Sequence, residues 1–231
     1  MDAAVFAVLG LMVVGLVAFA GADALRSLRS RTTPATVGVA ATRPRRLVLV
    51  RHGETEWSRT GRHTGRTDVP LADDGRAQAR AVRPLLEGWH FDAILVSPLA
   101  RATETLALLE RDEPVTVVDD LQEWDYGEDE GRTSAEIHVD RPGWTVWGAG
   151  PQGGEAIAEV AARARRVLRV AAEHEGDVLV VSHGHLLRVL ATCWAGLDPR
   201  DGEVLHLDPA TMSVLDHVNG VAVIRRWNVS G

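Results

Sequence analysis

Short, uninterrupted apolar runs alternate with longer amphipathic stretches along most of the chain. "RLVLV" (46–50), "FDAILVS" (91–97), "PVTVV" (114–118) and "DVLVVSHG" (177–184) are rich in branched residues and bounded by charge or turn formers. The first, second and fourth predict strands buried on both faces, and the third predicts a strand. Between them the apolar period lengthens. "LADDGRAQARAVRPLLEG" predicts a helix with Asp73 or Asp74 as N-cap, ending near Gly88, with Pro84 as an awkward guest. "SPLARATETLALLE" predicts another, with Ser97 as N-cap, Pro98 in the first turn and Leu99, Ala102, Leu106 and Leu109 as its apolar positions. "GGEAIAEVAARARRVLRVAAEHEG" is the longest helical pattern, and "HLLRVLATCWAGL" follows the fourth strand. "TMSVLDHV" and "VAVIRRW" flank Asn219-Gly220, a hairpin signal. Strand and helix alternate, so the pattern predicts an α/β fold with a mainly parallel sheet.

The N-terminus breaks this pattern. Ala3 to Ala22 is uncharged. As a helix at about 1.5 Å per residue, that length spans a bilayer core of about 30 Å. Six arginines follow by residue 46, and this cation excess places the body in the cytoplasm, anchored to the inner face of the membrane through residues 3–22. A cleaved signal ending at "AFAG" is the rival, although the preceding Met-Asp lacks a cation. An over-long start to a cytosolic protein is the third reading. The expected organisation is a hydrophobic segment over 1–25, a linker over 26–45 and a catalytic domain over 46–231.

Composition narrows the chemistry. The 231-residue chain carries −7 and has no lysine. Residues 1–46 hold six Arg against two Asp, which leaves −11 on the remainder. An acidic body argues against a nucleic-acid surface, so any anion site is a local arginine pocket. One cysteine, Cys193, excludes an internal disulfide framework and reads as a small core residue.

In a parallel sheet, ligands bind beyond the carboxyl ends of the strands. Arg51-His52-Gly53, Ser97 leading to Arg101, the stretch after Val118, and Ser182-His183-Gly184 all fall there. Two imidazoles and two guanidinium groups suit a tetrahedral dianion. A neutral imidazole can also attack phosphorus and carry the phosphoryl group, and neighbouring arginines favour its neutral form. Glu123 is the candidate proton donor to the leaving group. His183 and His185 form H-x-H, which on a strand would put both rings on one face as metal ligands. No third ligand stands at a suitable spacing, and the arginines repel a cation.

"RHGETEWS", "SPLARATET", "LQEWDYGEDEG" and "VSHGH", in this order and spacing, resemble the four signatures of the histidine phosphatase superfamily, which includes the phosphoglycerate mutases. The resemblance implies a three-layer α/β/α sandwich and no metal or other cofactor. It implies His52 as the phosphorylated nucleophile, Arg51, Arg101 and His183 as phosphate clamps, and Glu123 as proton donor. Ser58, Thr64, Gly65, Tyr126, Gly184 and His185 match positions that line the substrate pocket. The mutases carry extra basic residues after the glutamate motif; the matching "GRTSAEIHVDRPGWTVWGAGPQGGE" is short, with no lysine and no paired arginine. With Trp144, Trp147, Gly150 and "GGE", it looks like the acid phosphatase and sugar bisphosphatase branch. The expectation is a phosphatase for small phosphorylated metabolites. A phosphomutase and a catalytically idle phospho-ligand module remain the alternatives. Arg62 and Arg66 have no assigned role, and Trp144 and Trp147 read as core of the cap.

Overall fold

The structure is a computed structural model in which residues 46–231 are described. The expected anchor, the helix expected to form it and the expected linker therefore lie outside the described residues. Among those described, no helix is long and apolar enough to cross a membrane.

Six strands form one mixed sheet: β1 (Leu47–Arg51), β2 (Phe91–Val96), β3 (Val115–Val117), β4 (Asp177–Ser182), β5 (Met212–Val218) and β6 (Val221–Val229). Their spatial order is β3-β2-β4-β1-β5-β6. The first four run parallel; β5 is antiparallel to β1, and β6 returns antiparallel to β5. Asn219 and Gly220 both have positive φ, as the tight turn between β5 and β6 requires.

Both sheet faces are covered, which is why the inner strands read as continuous apolar runs. Leu47, Leu49, Val178 and Val180 point into one core with Val160, Val167, Leu186 and Leu190. Val48, Val50, Leu179 and Val181 point into the other with Leu86, Ala102 and Leu109. The helices are α1 (Glu56–Arg59), α2 (Asp73–Ala81), α3 (Ala100–Leu109), α4 (Ser134–Asp140), α5 (Ile157–Ala171) and α6 (Gly184–Ala195).

Several ends differ from expectation, each for a local reason. Ala72 holds the N-cap position of α2 without a side-chain bond, so Asp73 and Asp74 are first-turn acids facing the helix dipole. Pro84 cannot continue that helix, and the chain tightens into a 3₁₀ turn over Arg83–Leu86. Ser97 is not a cap: α3 starts three residues later, behind Leu99. The long helix is shorter than its pattern, because "GGEA" and "EHEG" form turns. β4 stops at Ser182, and His185 lies inside α6. The strand geometry behind a paired H-x-H ligand is therefore not the geometry adopted. Cys193 is partly buried against the first core.

Candidate active site

Register brings the strand ends together. Arg51 lies opposite Ser182, and Val96 opposite Val181, so the residues that follow β1, β2 and β4 emerge at one level. The His52 N–H donates to the Ser182 carbonyl at 2.9 Å, carrying the ladder one residue beyond the strand. The rings of His52 and His183 meet edge to face with centroids 5.1 Å apart.

His52 is buried, and its Nδ1 lies 2.7 Å from the Gly53 carbonyl. A carbonyl only accepts, so Nδ1 carries the proton and Nε2 the lone pair. Burial first, then Arg101 and Arg51, holds the ring's pKa well below the usual imidazole value. His183 has the opposite tautomer. Arg101 Nε donates to its Nδ1 at 3.2 Å, so its Nε2–H donates to Ser97 Oγ at 2.7 Å. Burial, with the Arg101 charge, also pushes its pKa well down.

Arg101 is fully buried in a cage of carbonyls. Nη1 donates to Thr67 O at 3.0 Å, and Nη2 to Gly65 O and Thr64 O at 2.9 and 3.2 Å. Glu130 holds the same loop from outside: its Oε1 accepts from the N–H groups of Gly65 and Thr67 at 2.7 and 3.1 Å. Arg51 is less fully bonded. It donates from Nη1 to the Leu207 carbonyl, but its buried Nε–H has no partner. A buried orphan donor costs free energy until an acceptor arrives. Gly184 permits this placement, since a Cβ there would lie 3.3 Å from the guanidinium carbon.

Glu123 sits at the start of α6. Its Oε1 accepts from the N–H groups of Trp124 and Leu186, both at 2.9 Å, and Oε2 from that of His185 at 3.0 Å. Tyr126 is buried, and its hydroxyl lies 2.5 Å from His185 Nδ1. Burial raises the phenol's pKa well above its usual value and lowers that of the imidazole. The pair is neutral, and whichever way the shared proton lies, one donor is left over.

A cavity of about 180 Å³ opens over these groups. Arg51, His52, Glu123, Tyr126 and His185 line it, together with Ser58, Thr64 and Gly184. Arg101, His183 and Gly65 stand behind this wall, in contact with His52 and the 64–67 loop. Ser58 spends its hydroxyl on the cap of α1, donating to Thr55 O and accepting from Thr55 N. The arrangement can hold a phosphoryl group against His52 Nε2 with Arg51 as ligand and Arg101 as charge behind it.

The sequence model of a family described as the histidine phosphatase superfamily (branch 1) matches residues 47–230. The chain belongs to this superfamily. It is 40% identical over 195 residues to an acid phosphatase of Mycobacterium tuberculosis, covering 82% of this chain and 95% of that one. It is 35% identical to a sedoheptulose 1,7-bisphosphatase of Saccharomyces cerevisiae, covering 66% and 68% of the two chains. A solved Mycobacterium tuberculosis open reading frame product superimposes with a TM-score of 0.77 at 38% identity, over 81% of this chain and 99% of that one. The chain is accordingly a phosphoric monoester hydrolase of the superfamily.

Three residues that support this histidine phosphatase site escaped the reading of the sequence, and a fourth was placed at the converging strand ends without its role. Ser97, expected to cap a helix, instead partners His183. Thr105, one turn after Arg101 on α3, accepts from the Gly53 N–H at 3.1 Å. Arg163 on α5 donates to the carbonyls of Asp120, Gln122 and Glu123 and pairs with Glu155, so it holds the loop that carries Glu123. Arg188 on α6 lines the cavity. Arg163 alone left a signal, as a charge on the face that otherwise carries the apolar stripe.

Proposed function

We propose that the chain hydrolyses small phosphomonoesters in two steps through a phosphohistidine on His52, without a metal. One observation carries this reading: a buried neutral imidazole whose Nδ1–H is tied to Gly53 O, beside two guanidinium groups that have no carboxylate partner. In the first step Nε2 attacks phosphorus, the P–O ester bond breaks, and the leaving oxygen takes a proton from Glu123. Oε2, with one backbone donor against two on Oε1, is the oxygen with room for that proton. In the second step water attacks the phosphohistidine, its proton returns to Glu123, the N–P bond breaks and orthophosphate leaves. Arg51 supplies donors to the phosphoryl oxygens. Arg101 and His183 stabilise the site from behind, since most of their hydrogen bonds are already made.

The test is His52→Ala assayed with phenyl phosphate. Loss of the nucleophile is expected to lower kcat/KM by about a thousandfold or more. Rapid quenching of the wild type with labelled substrate should trap an acid-labile phosphoprotein that the variant lacks. Turnover near the wild-type rate in the variant sinks the reading.

A further inference from the structure

β6 is an edge strand, yet a bulge near its end reaches toward the active site. Met212 pairs with Val229 and Val214 with Arg226, so Trp227 and Asn228 together oppose the single residue Ser213. An extra residue of this kind bends a strand and re-aims its side chains. Asn228 has φ +57°, a left-handed conformation that asparagine tolerates better than most residues. Its N–H donates to the buried Ser213 Oγ at 3.0 Å. Its side chain turns to the loop before β5: Oδ1 accepts from the Asp208 N–H and Nδ2 donates to the Asp208 carboxylate, both at 2.7 Å. Trp227 donates from Nε1 to the His206 carbonyl. Two adjacent residues of the bulge thus grip positions 206 and 208.

Leu207 lies between the gripped residues and lines the catalytic cavity. Its carbonyl accepts from Arg51 Nη1, and among the described residues this is the one hydrogen bond of the Arg51 guanidinium. Arg101, by contrast, is held by three carbonyls and His183. The same loop is tied to the nucleophile's backbone, since the Ala210 N–H lies 3.2 and 3.1 Å from the carbonyl oxygens of Arg51 and His52. Burial works against the Arg51 charge, and the Glu123 and Asp208 carboxylates work for it. The position of Arg51 therefore hangs on the orientation of one peptide group, and β6 sets that orientation.

We propose that Asn228 is a positioning residue for the reaction: its grip on Asp208 holds the Leu207 carbonyl in place and so fixes Arg51 for the phosphoryl oxygens. A free arginine side chain has many rotamers, and a ligand that must order it binds more weakly. Arg51 is ordered in advance only as far as its single anchor is. The sequence gave no sign of this, because the apolar pattern of β6 ends at Trp227, one residue short. The inference rests on the phosphatase reading above and adds to it a residue outside the four motifs.

Titration calorimetry with orthophosphate reads the placement of Arg51 without requiring turnover. Asn228→Gly removes both side-chain grips, and glycine adopts the left-handed backbone readily, so the fold is kept. Its Kd for orthophosphate is expected to rise about fivefold or more, the worth of one net hydrogen bond. kcat/KM on phenyl phosphate should fall by a similar factor. Gly220→Ala is the control. It strains the turn at the other end of β6, where φ is +78°, and should lower Tm while leaving that Kd unchanged. The Arg51 Nε–H resonance, assigned by its loss in Arg51→Lys, should move in Asn228→Gly and stay in place in Gly220→Ala. A wild-type Kd or an unmoved Arg51 resonance in Asn228→Gly overturns the proposal. An equal loss of affinity in Gly220→Ala also overturns it, since a weakened strand would then suffice. Failure of the phosphatase reading looks different: phenyl phosphate hydrolysis that persists in His52→Ala, which leaves the orthophosphate comparison intact.

Discussion

Ser97 has no contact with the cavity, yet it decides which nitrogen of His183 is free. Its Oγ accepts the Nε2–H, which leaves Nδ1 to face Arg101. Ser97→Ala strands a buried donor, at a cost of about 1–3 kcal/mol. The expected result is a tenfold or so drop in kcat/KM on phenyl phosphate with a lowered Tm; unchanged kinetics would show that the ring needs no such partner. This pairing was not legible in the sequence. Ser97 and His183 are 86 positions apart, and a serine before a proline at a helix start reads equally well as a cap. Arg51, His52 and Glu123 were legible, because each follows or joins a strand whose end the parallel topology aims at the site. Tyr126 was matched to the pocket, but its bond to His185 could not be foreseen, since it joins two separate motifs.

At the scale of elements, one close approach sets the position of the nucleophile. α2 crosses the segment after β1 so tightly that a Cβ on Gly75 would lie 2.0 Å from the Glu54 carbonyl oxygen, and one on Gly53 would lie 2.2 Å from the Gly75 oxygen. Both contacts are backbone to backbone, so neither side can yield cheaply. Alanine normally favours a helix interior over glycine by about 1 kcal/mol. Here Gly75→Ala is expected to destabilise by about 1–3 kcal/mol net of that gain, as overpacking does. Calorimetry would register a Tm lower by several degrees, along with reduced activity as His52 is displaced. A raised Tm would mean that the helix can move away freely. The strands and helices themselves were well marked, since buried parallel strands and amphipathic helices differ in period. Their ends were less so. Pro84 and the turns around α5 were absorbed into helical patterns because an apolar period persists past the last helical hydrogen bond.

The whole molecule carries its own pH signature. His52, His183 and His185 all have pKa values held well below the ordinary imidazole value, with burial the largest cause in each. As pH falls below about 6.5, the unfolded chain takes up protons on these rings while the native state does not. The unfolded state then binds more protons, so stability is complete above that pH and declines on acidification. Carboxylates with lowered pKa, such as Glu155 beside Arg163, act in the same direction at lower pH. Tm measured at constant ionic strength should fall steadily from pH 7 to pH 5, and a flat or rising profile counts against the buried neutral rings. The same depression keeps His52 a nucleophile in mild acid, so the acid limb of kcat/KM should lie below 6.5. Glu123 brings a different consequence. The groups that hold its carboxylate are peptide N–H groups of residues 124, 185 and 186. Trp124 and Leu186 are fixed in the core, but exchanging the side chain of His185, the one of the three that lines the cavity, leaves its amide in place, so the wall at that position is free to diverge from one descendant to the next while the proton donor keeps its station.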